Sequence, residues 1–133
     1  MNRTIAIVFI TASISFSTSS IAGPREDLLA QYAVAAKSSG FSAERGQTLH
    51  TRNFNGGKPV TPACTSCHGS DTRAPGSTPI GKSIEAVAVS VTPSRYTDPA
   101  KVEKWFRRNC TEVLGRECTP QEKGDWLTFV MGQ

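Results

Sequence analysis

Cys64-Thr65-Ser66-Cys67-His68 is the stretch from which the rest of this chain can be read. Its two thiols are spaced to reach both vinyl groups of one haem, and the imidazole that follows at once can ligate the iron, the attachment pattern of c-type haem. Two other chemistries use cysteines at this spacing. A thioredoxin-like redox pair wants a βαβ context, and a zinc site would enlist Cys64, Cys67, Cys110 and Cys118 together. The flanking sequence reads as helical and offers no sheet, and the chain begins as an exported protein does. One covalently bound haem c is therefore expected, with Cys64 and Cys67 forming the thioethers and His68 on the iron.

The export signal lies upstream. Met1–Ala22 carries one Arg near its start, an apolar run from Ile5 to Ile10, a Ser/Thr-rich stretch and small residues at Ser20 and Ala22, the composition of a secretory signal peptide. The apolar run is far shorter than the roughly 20 residues that span a bilayer. The expected division is a signal peptide over 1–22 and a monohaem domain over 23–133, periplasmic and without membrane insertion after cleavage. With 133 residues there is no room for a large catalytic scaffold. The 15 Lys and Arg stand against 11 Asp and Glu and are scattered, which argues against nucleic acid as a partner. An exported domain this small relies on disulfides, a metal or a cofactor to supplement its core.

Helical signals flank the motif on both sides. Pro24 followed by Glu26 and Asp27 suits a helix start, with Leu28, Leu29, Tyr32, Ala33 and Ala36 on one face to about Lys37. Ser42 caps a short helix through Ala43, Gly46 and Leu49, stopped by Asn55, Gly56, Gly57 and Pro59. From Gly69 to Ser83 no periodicity survives, which predicts a wrapped loop. Val87, Val89 and Val91 alternate but have no second strand pattern to pair with, so that segment reads as extended, not sheet. Asp98 and Pro99 start a helix carrying Val102, Trp105 and Phe106, expected to end near Asn109. Thr119, Pro120 and Glu122 form a capping box for a last helix that buries Trp126, Leu127, Val130 and Met131. The expected fold class is all-α, a small helical fold around one haem that is class I cytochrome c-like by resemblance. Ala43, Gly46 and Leu49 resemble the corresponding region of class I cytochromes c, a resemblance that implies a close crossing of first and last helices with Gly46 near Trp126.

Such cytochromes usually offer a methionine to the other face of the iron. Only Met131 follows His68, and it lies on the apolar stripe of the last helix, where a packing role is expected. His50 is a second alternative, more readily understood as a surface or packing histidine. Taken alone, Asn109 reads as a helix C-cap. Cys110 and Cys118 most simply pair in an oxidising compartment, free thiols or metal binding being the alternatives. A bridge there closes nine residues, a constraint on the unfolded chain of roughly 2.6 kcal/mol.

Val102-Glu103-Lys104-Trp105, Arg108-Asn109-Cys110 and the run Val113 to Pro120 resemble the sphaeroides haem protein family, as do Glu44 to Gly46, Gly56 to Pro59, and Gly81 with Lys82. The resemblance covers nearly the whole domain; Ala86–Val91 departs from the proline-containing loop of the family. It implies a class I-like monohaem cytochrome in which an asparagine, here Asn109, is the sixth iron ligand and leaves on reduction. It also implies a disulfide at Cys110 and Cys118, and a dihaem c-type cytochrome and a membrane b-type cytochrome as redox partners. A neutral carboxamide is a weak, hard ligand suited to ferric rather than ferrous iron. The expected function is electron transfer combined with binding of a small diatomic ligand (oxygen, nitric oxide, carbon monoxide) when reduced. The alternatives are a six-coordinate electron shuttle and an enzyme that oxidises nitric oxide. Lys82, Arg95, Lys101, Lys104, Arg107 and Arg108 are candidates for a basic rim that steers an acidic partner.

Overall fold

Three of the four long helices start where the sequence supplies a side-chain cap, and the first starts on a proline. The computed structural model describes residues 22–133, so the expected signal peptide lies outside the described residues except for Ala22. Helix α1 (Pro24–Ala36) has proline in its first turn and closes on Lys37 in a left-handed conformation. Helix α2 (Ala43–Thr51) is capped by the Ser42 side chain, which accepts from the Arg45 N–H. A single turn, α3 (Thr65–His68), carries the motif. Helix α4 (Pro99–Leu114) is capped by Asp98 and α5 (Pro120–Met131) by the complete Thr119–Glu122 capping box. No helix among the described residues is long and apolar enough to cross a membrane.

Two sequence expectations are corrected. Helix α4 does not stop near Asn109: its apolar stripe runs on from Val102 and Phe106 to Cys110, Val113 and Leu114, and Gly115, at φ 73°, provides the left-handed exit. Asn109 is thus a helix-interior residue and caps nothing. The Gly69–Ser83 stretch is not entirely loop, since β1 (Gly76–Ser77) pairs antiparallel with β2 (Ser83–Ile84). Two-residue strands are too short to leave a period in the sequence. The valine-rich segment stays outside any ladder, its backbone held by Ala88 N–H to the Thr72 carbonyl at 2.9 Å and Val89 N–H to the Val130 carbonyl at 3.1 Å.

Helix α5 is the hub, crossed by α2 on one side and flanked by α1 on another. At the α2–α5 crossing a Cβ on Gly46 would lie 2.1 Å from the Asp125 carbonyl oxygen and 2.7 Å from the Phe129 Cβ. The helices meet backbone to backbone, at residues flanking Trp126 rather than at Trp126 itself. Asp125, almost fully buried, accepts from the Ser42 N–H at 2.7 Å and from Arg45 Nε and Nη2, each at 2.8 Å. A buried carboxylate needs such partners, and here they fix the start of α2 against α5.

One core cluster joins Leu28, Tyr32, Val87, Val102, Leu127, Phe129 and Val130; the other joins Leu49, Val113, Leu114 and the Cys110–Cys118 disulfide. Phe106 and Trp126 pack against both.

Candidate haem site

Helix α3 gathers the chemistry because one turn puts positions i, i+3 and i+4 on one side. His68 N–H bonds to the Cys64 carbonyl at 3.0 Å, and the Ser66 hydroxyl accepts from the Ala63 N–H at 3.2 Å, so the turn is fixed at both ends. Cys64 and Cys67 are both free of disulfide. Burial pushes the Cys64 thiol up to about 11, and Cys67 is raised by burial and then by the Glu112 carboxylate. Thiols with raised pKa make poor redox nucleophiles, which disfavours a thioredoxin-like pair. The four-cysteine zinc site fails because the sulfurs of Cys110 and Cys118 are bonded to each other.

The His68 ring is lowered to about 4, by burial first and then by electrostatic interaction with the His50 and Arg95 side chains. It is therefore neutral, and its Nδ1 is buried without a hydrogen-bond partner among the described residues. Two free thiols one turn apart, beside a neutral imidazole whose buried nitrogen no described residue satisfies, fit a covalently attached haem.

His50 is fully buried, not a surface residue. Trp126 Nε1, which can only donate, gives its hydrogen to His50 Nδ1 at 3.3 Å. The His50 proton must then sit on Nε2, which donates to the Gly69 carbonyl at 2.9 Å. With both nitrogens engaged and its ring centroid 6.5 Å from that of His68, His50 braces the chain just after the attachment turn and is not available to the opposite face of an iron bound there. Burial also lowers its pKa. Met131 is half-buried against the first core cluster, a packing role.

Asn109 is exposed in the middle of α4, one turn after Trp105, which remains 44% exposed although large and aromatic. Three observations bring the part of α4 that follows Asn109 near the Cys64–His68 turn. Cys110, the next residue, belongs to the cluster against which Cys64 packs. Glu112, three residues on, exerts its field on Cys67. Lys58 N–H bonds to the Glu112 carbonyl at 2.7 Å, tying the approach to the motif onto α4.

The basic rim is partly engaged elsewhere. Arg95 Nε and Nη2 each donate at 2.6 Å, to the Ala86 and Glu85 carbonyls, Arg107 lies 3.5 Å from Glu117, and Arg108 stacks over Trp105 at 5.4 Å. Lys82, Lys101 and Lys104 are exposed. The brace formed by His50 and Trp126, which are 76 residues apart, and the clamp of Arg95 on the Glu85–Ala86 carbonyls were not expected, since contacts through polar atoms leave no periodic signal.

This helical scaffold, with two free thiols and a neutral buried histidine in one turn, fits the class of c-type cytochromes. The chain belongs to the family of the cytochrome c-type protein SHP of Cereibacter sphaeroides, to which it is 50% identical over 106 residues, 80% of this chain and 81% of that protein. It superposes on the structure of oxidised SHP, an oxygen-binding cytochrome c, with a TM-score of 0.79 at 49% identity, covering 82% of this chain and 96% of that one. Cytochrome c'' of Methylophilus methylotrophus is 32% identical over 87 residues, 65% of this chain and 60% of that protein. The oxidised crystal structure of that cytochrome matches with a TM-score of 0.70 at 28% identity, covering 83% and 94%. Residues 36–130 also match a family described as a domain of unknown function (DUF1924). As in these relatives, the cofactor is one covalently bound haem c.

Proposed function

We propose that this cytochrome is a redox-controlled binder of diatomic molecules, in which Asn109 occupies the sixth position in the ferric state and withdraws on reduction. The attached haem supplies the redox-active iron and the coordination position. Cys64 and Cys67 tether it, and His68, held neutral by burial, takes the proximal side. The observation that carries the reading is Asn109 itself: a carboxamide exposed inside α4, next to the Cys110 whose cluster Cys64 packs against, where no cap explains it. The Cys110–Cys118 bridge beside it anchors the helix backbone. Once released, the Asn109 amide can donate its N–H to a diatomic guest, a property by which a distal pocket tunes affinity. SHP is an oxygen-binding cytochrome c, and oxygen is the guest proposed here, with nitric oxide and carbon monoxide as others of the same shape. The same reading makes Met1–Ala22 a leader, 23–133 the mature domain and the periplasm its compartment, where a dihaem c-type cytochrome and a membrane b-type cytochrome are the proposed electron donors.

Optical spectra of the oxidised, reduced and carbon monoxide-treated protein test this. Asn109→Ala is expected to turn the ferric form high-spin while leaving the ferrous spectrum and haem attachment unchanged. A ferric spectrum identical to wild type would overturn the assignment.

A further inference from the structure

Five rings connect the attachment turn to the far side of the molecule. The His68 and His50 centroids are 6.5 Å apart, His50 and Trp126 6.3 Å, Trp126 and Phe106 5.6 Å, and Phe106 and Tyr32 6.2 Å. The series ends where Tyr32, Glu103 and Lys123 line a surface groove of about 550 Å³ between α1, α4 and α5. There the Tyr32 hydroxyl donates to one oxygen of the Glu103 carboxylate, and Lys123 Nζ donates to the other at 2.7 Å.

Tyrosine and tryptophan are the readily oxidised aromatic side chains, and a phenol that loses an electron becomes a strong acid. Its radical therefore persists where a base stands ready for the proton. The chain has two tyrosines. Tyr96 lies closer to Trp126, at 5.8 Å, but its hydroxyl donates to the Val87 carbonyl, which is no base. Tyr32 has a carboxylate. Lys123 Nζ, 5.7 Å from the centre of the Tyr32 ring, penalises a cation radical, so electron and proton must leave Tyr32 together.

We propose that Tyr32 is a redox-active residue: oxidising equivalents that hydrogen peroxide would generate at a haem held by Cys64, Cys67 and His68 are withdrawn through Trp126 to the Tyr32–Glu103 pair, and small hydrogen-atom donors of the ascorbate or phenol class refill it from the groove. In each transfer Tyr32 gives one electron toward Trp126 and its hydroxyl proton to Glu103. The donor then returns a hydrogen atom's worth of both, restoring the phenol while Glu103 releases its proton to solvent. Two such transfers, with two protons taken up from solvent, would convert one hydrogen peroxide to two waters and two donors to two donor radicals.

The proposal rests on haem attachment at Cys64 and Cys67 but not on the role of Asn109. Mass spectrometry of the denatured protein first establishes attachment; a chain without haem overturns that reading and this one together. The ferric holoprotein is then mixed with hydrogen peroxide, frozen and examined by electron paramagnetic resonance. Wild type and Tyr96→Phe are expected to give the same tyrosyl signal, Tyr32→Phe to lose it with an unchanged resting haem spectrum, and Glu103→Gln to lower its yield several-fold. Added ascorbate should slow haem bleaching in wild type more than in Tyr32→Phe. Absence of a tyrosyl signal in wild-type holoprotein, its survival in Tyr32→Phe, or its loss in Tyr96→Phe overturns the proposal while leaving the haem site intact.

Discussion

At Gly46 one hydrogen atom decides how closely α2 and α5 approach. A methyl group there would sit 2.1 Å from a backbone oxygen of α5, and a helix backbone cannot yield as a flexible side chain can. Gly46→Ala is expected to destabilise the holoprotein by at least the roughly 1–3 kcal/mol typical of overpacking, read as a lower urea midpoint with an unchanged slope. A midpoint equal to wild type would mean the crossing is looser than this geometry. The position was legible through the resemblance of Ala43, Gly46 and Leu49 to class I cytochromes c, although its partners proved to be Asp125 and Phe129. Asn109 was less legible from its neighbours alone, which suggested a cap. What decides its place is that the apolar stripe continues for another turn, through Cys110, Val113 and Leu114. For His50 the packing role holds and the surface role does not, and nothing local signals that Trp126, far along the chain, donates to its ring.

Among the elements, the caps were the most readable features. Ser42, Asp98 and Thr119 begin α2, α4 and α5 as their side chains predict, since capping is a local contact between neighbours in sequence. Thr119→Ala removes an acceptor for the Glu122 N–H and is expected to cost about 1 kcal/mol, measured by thermal unfolding of the holoprotein; no loss would show that Glu122 and Arg116 hold the turn unaided. The β1–β2 ladder was unreadable because two-residue strands carry no pattern. The Cys110–Cys118 bridge joins the last turns of α4 to the start of α5. Replacing both cysteines by serine should cost about 2–3 kcal/mol by loop entropy. Because Asn109 adjoins Cys110, the variant should also show a larger high-spin ferric fraction. Lost stability with an unaltered ferric spectrum would separate the bridge from the iron.

For the molecule as a whole, cohesion among α1, α4 and α5 runs through Glu103, which accepts from Tyr32 on α1 and Lys123 on α5. Burial raises its pKa, but the hydrogen bonds from Lys123 and Tyr32 outweigh this and hold the carboxyl below its ordinary 4.5. Glu122 is likewise held low, first by its hydrogen bond to Arg116. A carboxyl whose folded pKa is depressed binds protons more readily in the unfolded chain. Its contribution is therefore complete above the ordinary value and declines as pH falls through the lower folded value. Both side chains retain partial solvent access, so screening keeps each contribution modest. The urea midpoint is expected to hold steady near neutrality and to decline between about pH 5 and about pH 3. Glu103→Gln should be less stable at neutral pH yet show a shallower acid decline, since the group that titrates is gone. An acid decline as steep in that variant as in wild type would shift the pH sensitivity to other groups and remove Glu103 from its place as the joint of the three helices.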